Sequence, residues 1–248
     1  MALRTAIATP DGKRRYVRRL FATIADRYDF ITRFLSYGQD RRWKRRAIAL
    51  ASIAPGDRVL DLACGTGDLL FEAGRLARFS VGLDVTFRML LLAQRRAAGA
   101  RPPEGPDVER PLTGRLVTGD MVGLPFADAS FDVATTGYGL RNVPDLAASI
   151  HEIHRVLRPG GRLVSLDFNR PSNPIVRHAY LAYLTAVGSA LGMALHRDPD
   201  TYRYIPESIR NYPGADAVAA MLAREGFERV RVVRVLGGLM AIHVAVRG

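Results

Sequence analysis

The segment Asp61-Leu-Ala-Cys-Gly65-Thr66-Gly67-Asp68 follows a short apolar run. Its two glycines let the backbone turn tightly and approach a ligand, and the helix that follows presents free N–H groups at its start. A dinucleotide fingerprint would place a third glycine at position 70, where Leu70 stands. Asp84 closes the next apolar run; a carboxylate there accepts hydrogen bonds from both hydroxyls of a ribose. Asp120 follows the third run with Met121 beside it, an acid to meet an adenine amino group and an apolar neighbour to cover the ring. Asp61, low on the first run, reaches toward a methionine end. Together they fit an adenosyl ligand without a pyrophosphate: S-adenosylmethionine. The plainer reading is a strand-turn-helix with incidental acids, but three strand ends agree on the ligand.

Those residues need parallel strands to bring their ends together. Arg58–Ala63, Phe79–Asp84, Arg115–Thr118, Phe131–Thr136 and Arg162–Phe168 read as strands, and Leu69–Ala77 and Thr86–Ala98 as helices, with Thr86 as N-cap. A further helix carries Leu146, Ile150, Ile153, Val156 and Leu157 on one face and stops at Arg158–Gly161. Gly99–Gly114 reads as a surface loop. Strands alternating with helices predict an α/β fold, a doubly wound, mostly parallel, Rossmann-like sheet. Val230–Leu236 and Leu239–Val246 flank Gly237-Gly238 and predict a terminal hairpin with an antiparallel last strand. Ala179–Leu195 is an uncharged stretch at the short limit for crossing a bilayer; it reads instead as a buried or half-exposed helix, with Gly188 and Gly192 as a weak packing signal.

The chain has 248 residues, a net charge of +12, 48% hydrophobic residues and a single cysteine. That excludes a disordered chain and a disulfide scaffold. A lone Cys64 and an N-terminus without a signal-like apolar core predict a reducing, cytoplasmic setting. The first 50 residues hold 13 basic and 4 acidic side chains, so most of the net charge lies there. Residues 13–28 place Val17, Leu20, Phe21, Ile24 and Tyr28 at helical spacing, a basic amphipathic helix that either lies on an anionic membrane or packs onto the domain. His151 and His154 read as solvated and His243 as structural, so no metal site is expected.

DLACGTGDLL, GLDVTFRMLLLA, GDMVGLPFADASFDVAT, GLRNVPD and VLRPGGRLVSLDF resemble successive motifs of class I methyltransferases. YDFITRFLSYGQDRRWKRRAI, GYGLRNVPD, LDFNRPSNP and YRYIPESIRNYP resemble the ubiquinone/menaquinone biosynthesis methyltransferases, from about Phe21 to the C-terminus. The wording of LDFNRPSNP is nearer the naphthoquinone-methylating members, the phytyl branch included. The resemblance implies a basic helical cap over 1–50 and a methyltransferase domain over 51–248, with substrate-covering helices at about 172–212. It implies that Gly65, Thr66 and Gly67 form the cofactor turn, with Asp61, Asp84, Asp120, Met121 and Gly137 around the cofactor. Arg141 and Asn142 match a pair facing the substrate, Tyr28 and Asp29 a pair covering the pocket, and Tyr202, Tyr204 and Ser208 a mobile segment over the quinone.

The expected reaction is C-methylation of a prenylated naphthoquinol, on a protein held peripherally at the inner, anionic membrane face, with a homo-oligomer as a candidate state. A benzoquinol or another small aromatic lipid as substrate, and a cofactor-binding scaffold without catalysis, are the competing readings. A phenol has a pKa near 10, so ionising it at neutral pH costs about 4 kcal/mol, which a fixed Arg141 recovers in large part. Arginine does not take the proton; water, Asp29 or a tyrosinate are the candidates. Nucleic acid is not expected as substrate: no nucleophilic cysteine follows the fourth strand, and GYGLRN lacks the Asn/Asp-Pro-Pro-aromatic element of amino-group DNA methylases.

Overall fold

The computed structural model describes residues 3–36, 38–99 and 114–248. Four helices come first: α1 (Leu3–Ala6), α2 (Pro10–Ile24), α3 (Tyr28–Leu35) and α4 (Asp40–Ala51). Alternation follows: β1 (Arg58–Leu62), α5 (Asp68–Leu76), β2 (Phe79–Asp84), α6 (Phe87–Gly99), β3 (Gly114–Thr118), β4 (Phe131–Gly137), α7 (Leu146–Val156) and β5 (Leu157–Phe168). The chain closes with α8 (Pro174–His196), α9 (Tyr204–Asn211), α10 (Ala215–Arg224), β6 (Phe227–Val235) and β7 (Met240–Arg247).

The strands form one sheet in the order β3-β2-β1-β4-β5-β7-β6. β1 to β5 run parallel, and β7 is antiparallel to both β5 and β6. The expected α/β architecture with an antiparallel terminal strand is therefore present. Strand order reverses at β1 and β4, and ligands of open α/β sheets lodge in the crevice beyond such a switch point. Leu60, Leu62, Val81 and Leu83 pack with Ile150, Ile153 and Val156 on one face. Val59, Val133 and Val164 pack with Trp43, Ala47 and Ile48 of α4 on the other. Nearly continuous apolar strands are what burial on both faces demands.

Two elements and one histidine differ from the sequence expectation. The helix expected over 13–28 ends at Ile24; a 3-10 turn over Ala25–Arg27 intervenes and α3 starts at Tyr28. The apolar period runs through this kink without glycine or proline, so the pattern carries no mark of it. β5 begins at Leu157, which pairs with Phe131, so the helix before it releases that residue to the sheet. His154 is not simply solvated: its ring meets Phe227 edge-on at 5.1 Å. His243 is buried with Nε2 2.9 Å from the Ala215 carbonyl, a structural role as expected.

α8 covers the uncharged stretch and extends it. Asn173 caps it, accepting from the N–H groups of Ile175 and Val176, and Pro174 opens it. Leu181, Leu184, Gly188 and Gly192 are buried on one side, and the opposite side is solvent-facing. A Cβ at Gly188 would crowd Tyr202, and one at Gly192 the backbone of Asp198, so these glycines admit the chain's own return segment. The expected loop at Gly99–Gly114 falls almost wholly outside the described residues.

Candidate active site

The turn after β1 is built as the two-glycine pattern requires. Gly65 and Gly67 both take positive φ, 54° and 89°, and Gly67 caps α5. Asp84, at the end of β2, reaches back to this turn: its Oδ2 accepts the Gly65 N–H at 2.9 Å and its Oδ1 the Thr86 N–H at 2.7 Å. Burial pushes the Asp84 carboxyl above its ordinary value, and those two N–H groups pull it back only in part. A pocket beyond the strand ends is lined by Gly65, Asp84, Met89, Asp120, Met121 and Gly137, among others. The structure thus gathers the ribose, adenine and turn residues read from the sequence.

Arg14 also lines that pocket and was not foreseen. Its Nε donates to Asp120 Oδ2 at 2.7 Å. Both partners are partly exposed, so the pair is worth about 0–1 kcal/mol and yields readily to a ligand.

A smaller recess next to it is lined by Asp61, Gly65, Thr66, Lys44 and Tyr138. Asp61 is buried; its Oδ1 accepts from Thr135 Oγ1 at 2.7 Å, while Oδ2 has no hydrogen-bond partner among the described residues. An unpartnered buried carboxylate oxygen in a recess suits the ammonium end of an amino acid, so the residues present fit S-adenosylmethionine. Burial pushes the Asp61 carboxyl up to about 7, against the hydrogen bond from Thr135. An unfolded aspartate titrates near 4. Between those values the ligand-free protein holds a proton that the unfolded chain has lost, so its stability falls as pH rises through that window. A cationic ligand prefers the ionised carboxylate. Cofactor affinity is therefore expected to rise with pH up to about 7 and then level off; titration calorimetry across pH checks this, and Asp61→Asn should flatten the profile.

Behind Tyr138 lies a second cavity of roughly 300 Å³ with almost wholly apolar walls. Leu20, Ile24, Ile31, Trp43, Phe168 and Tyr204 are among its lining residues, and Arg141 is its single charged one. Arg141 is buried and held on several sides. Its Nε donates to Asp167 Oδ1 at 3.2 Å and its Nη1 to Asn142 Oδ1 and Ser208 Oγ, while its guanidinium carbon lies 5.0 Å from the Phe168 ring centre. Nη2 makes no hydrogen bond among the described residues and is the donor left for a ligand. Lys13 Nζ donates to the Arg141 carbonyl at 3.1 Å, tying α2 to this loop. Burial foremost, then the nearby Arg141 charge, lowers the Lys13 ammonium to about 8.

Tyr28, Tyr202 and Tyr204 line the apolar cavity, and Ser208 supports it through Arg141. Asn142 lines the cofactor side instead, its Nδ2 donating to the Tyr138 carbonyl at 2.7 Å. Asp29 lies away from the apolar cavity: its Oδ1 accepts from Thr66 Oγ1 at 2.8 Å, over the glycine turn. Sequence reasoning passed over Asp167, Tyr138, Asp40 and Lys44. Tyr138 Oη donates to Asp40 Oδ1 at 2.6 Å, and Lys44 Nζ lies 2.7 Å from both Asp40 Oδ2 and Asp68 Oδ2. The signal available was composition, since Lys13 and Lys44 are the sole lysines in an arginine-rich chain.

A switch-point crevice with a two-glycine turn, a buried acid at the end of β2 and an unpartnered carboxylate oxygen suits a Rossmann-like, S-adenosylmethionine-dependent methyltransferase. Solved structures agree on the fold. A possible histamine N-methyltransferase from Thermotoga maritima matches with a TM-score of 0.66 at 17% identity, covering 94% of this chain and 100% of that one. A putative S-adenosyl-L-methionine-dependent methyltransferase from Methanococcus maripaludis matches at 0.61 and 18%, over 91% and 93%. Residues 9–247 match the ubiE/COQ5 methyltransferase family, and the chain belongs to it. Similar relatives include the demethylmenaquinone methyltransferases of Mycobacterium sp. strain KMS, 39% identical over 97% of both chains, and of Thermus thermophilus, 40% identical over 92% of this chain and 100% of the other. The ubiquinone/menaquinone biosynthesis C-methyltransferase UbiE of Azotobacter vinelandii is 39% identical over 93% of this chain and 89% of its own.

Proposed function

We propose that this methyltransferase acts on a ring carbon of a prenylated naphthoquinol. One observation carries the reading: a guanidinium, the one charged group among the described lining residues, set into a mostly apolar cavity that shares Tyr138, Tyr28 and Phe21 with the cofactor pocket. Such a cavity suits a flat aromatic ring with an alkyl tail, and a cation in its wall suits an oxygen that gains negative charge. The relatives named for demethylmenaquinone fit the same chemistry.

S-adenosylmethionine, when bound, supplies an electrophilic methyl group. Asp84 is assigned to its ribose, Asp120 and Met121 to its adenine, and Asp61 to its ammonium, with Gly65, Thr66, Gly67 and Gly137 giving it room. Arg141 holds its fork in place through Asp167 and Asn142 and stabilises the oxyanion that makes the ring carbon nucleophilic. Tyr28, Tyr202 and Tyr204 keep water from the ring. The N-terminal helices and those within 172–212 form the substrate cover. Titration with S-adenosylmethionine, followed by methyl transfer to demethylmenaquinol and to the corresponding benzoquinol, tests the reading. Cofactor binding without transfer to any quinol overturns it, and preference for the benzoquinol moves the substrate to the sister class.

Peripheral membrane attachment belongs to the same proposal. Tyr183 and Leu236 line the cavity and are both partly solvent-facing, so they form its rim. Ile175 and Val176, at the start of the same helix as Tyr183, are exposed by 79% and 45%. A lipid-tailed substrate enters most directly from a bilayer against this rim. Sinking an apolar side chain gains about 1.5–3 kcal/mol, so Ile175→Asp with Val176→Asp is expected to weaken binding to anionic vesicles at least tenfold. Turnover of a short-tailed quinol should be unchanged; sedimentation with vesicles and a solution assay read the two.

A further inference from the structure

Deprotonation of the substrate hydroxyl needs an acceptor, and among the described residues the lining of the apolar cavity holds neither carboxylate nor imidazole. Asp29 sits at the glycine turn instead. Asp167 is reached only through Arg141, whose guanidinium does not pass protons. Asp40 lies one hydrogen bond behind the wall, on Tyr138, which forms that wall together with Tyr28 and Phe21.

Tyr138 is placed at a cost. Its φ is 62°, a left-handed value that a side chain with a Cβ disfavours, and the residues on both sides of it are glycines. Such strain is about 1–3 kcal/mol and persists only where the surroundings impose it. Here its N–H donates to the Leu166 carbonyl at 2.7 Å, and its carbonyl accepts from Asn142 Nδ2 at 2.7 Å. The ring consequently borders the apolar cavity, the adenosyl pocket and the Asp61 recess together. Its one hydroxyl proton is committed to Asp40, which leaves the Oη lone pairs as acceptors.

We propose that Tyr138 and Asp40 form a proton relay for the acceptor substrate. The inference rests on the quinol reading above. The substrate O–H bond breaks and its proton passes to Tyr138 Oη as Tyr138's own proton passes to Asp40. The electron pair stays on the substrate oxygen and is delocalised to the ring carbon, which would form the new bond to the methyl group as the methyl–sulfur bond of the sulfonium breaks and its electron pair stays on sulfur. After methylation the proton on that carbon leaves to water, and the relay returns its proton to the ring oxygen. One proton is released per turnover, and Asp40 ends ionised as it began. Tyr138 is the catalytic residue; Asp40 acts through it. The charged and titratable groups around the pair are Lys44 on the same helix as Asp40, Asp68 on α5, Tyr28 on α3, and Arg141 and Asp167 beyond the ring. Lys44 Nζ is ion-paired with Asp40 Oδ2 at 2.7 Å, and Tyr28, pushed up to about 12 mainly by burial, stays neutral.

Tyr138→Phe and Asp40→Asn test the relay, with S-adenosylmethionine affinity and melting temperature as folding controls. General-base loss is worth on the order of 10²-fold, and kcat is expected to fall by that factor in both with cofactor affinity kept within about twofold. The pH profile separates chemistry from architecture. The variants should gain rate tenfold per pH unit up to the alkaline limit, because the substrate must then ionise unaided, whereas the unmodified enzyme reaches a plateau. A second readout needs no turnover. A chain-bearing nitrophenol, coloured only when ionised, should develop colour on binding to the enzyme and lose that colour in both variants. Variants that keep the rate, the plateau and the colour overturn the relay while leaving the quinol reading intact. An unmodified enzyme that methylates no quinol overturns both.

Discussion

Arg141→Ala should lower methyl transfer at least 100-fold while leaving S-adenosylmethionine affinity nearly unchanged, since removal of one preorganised oxyanion donor typically costs about 10²–10³ in kcat. Arg141 borders the apolar cavity and is not among the residues lining the adenosyl pocket, so the two readouts separate. The substitution also strands Asp167. That carboxylate is 1% exposed and would keep its bonds from the Arg141 and Phe168 N–H groups but lose the guanidinium paired with it. Breaking a buried pair from one side costs about 3–5 kcal/mol, a large share of a stability of about 5–15 kcal/mol.

The pH dependence of that loss has a definite sign. Burial raises the Asp167 carboxyl above its ordinary value and Arg141 is the largest opposing influence, so the variant raises it further. The folded variant then binds a proton at pH values where the unfolded chain has released it, and its deficit grows as pH rises from the ordinary carboxylate range. Denaturant melts at several pH values check this. Arg141→Met combined with Asp167→Leu removes both charges and should recover part of the stability, because an apolar pair replaces the ion pair while the backbone N–H groups at positions 141 and 168 lose their acceptor. It should recover none of the turnover. If the double variant is active, Arg141 serves the fold and not the chemistry.

What the chain disclosed beforehand was whatever repeats or punctuates. The alternation of apolar runs with helical periods placed all five parallel strands to within a few residues, apart from an early start for β5. Gly65 and Gly67 are legible because positive φ leaves few other choices, and Asp61, Asp84 and Asp120 because they end apolar runs. What stayed hidden depends on contacts distant in sequence. Nothing near Asp40 announces that it meets Tyr138 across 98 residues, or that Asp167 meets Arg141 across 26. Asp29 illustrates the converse. Its neighbour Tyr28 lines the apolar cavity, yet the helical turn between adjacent residues sends Asp29 to the glycine turn.

Lys44→Met is expected to be the most damaging change outside the two cavities' own chemistry. Lys44 is buried between Asp40 and Asp68, each 2.7 Å from its Nζ, and lies 5.6 Å from the Tyr138 ring centre. Losing it leaves buried Asp40 without the ammonium paired with it, beside a half-buried Asp68 that keeps Arg96, a penalty of up to about 3–5 kcal/mol. Asp68 shows how the balance stands: burial pushes its carboxyl up, but Lys44 and then Arg96 pull it below the ordinary value. A depressed carboxylate contributes stability above its unfolded value and loses it as pH falls through its folded one. The gap between Lys44→Met and the unmodified protein should therefore narrow in acid and widen as pH rises, the same sign as the deficit expected for Arg141→Ala. Lys44→Arg gives the sharper comparison. A chain that uses arginine almost everywhere keeps lysine where one compact ammonium must touch two carboxylates, and a planar fork does not fit that geometry. Thermal melts should place Lys44→Arg well below a control such as Arg45→Lys on the exposed face of the same helix. Because Asp40 bonds Tyr138 and Asp68 opens the helix after Gly67, the same melts should coincide with weakened cofactor binding: one ammonium braces the donor's turn and the acceptor's wall together.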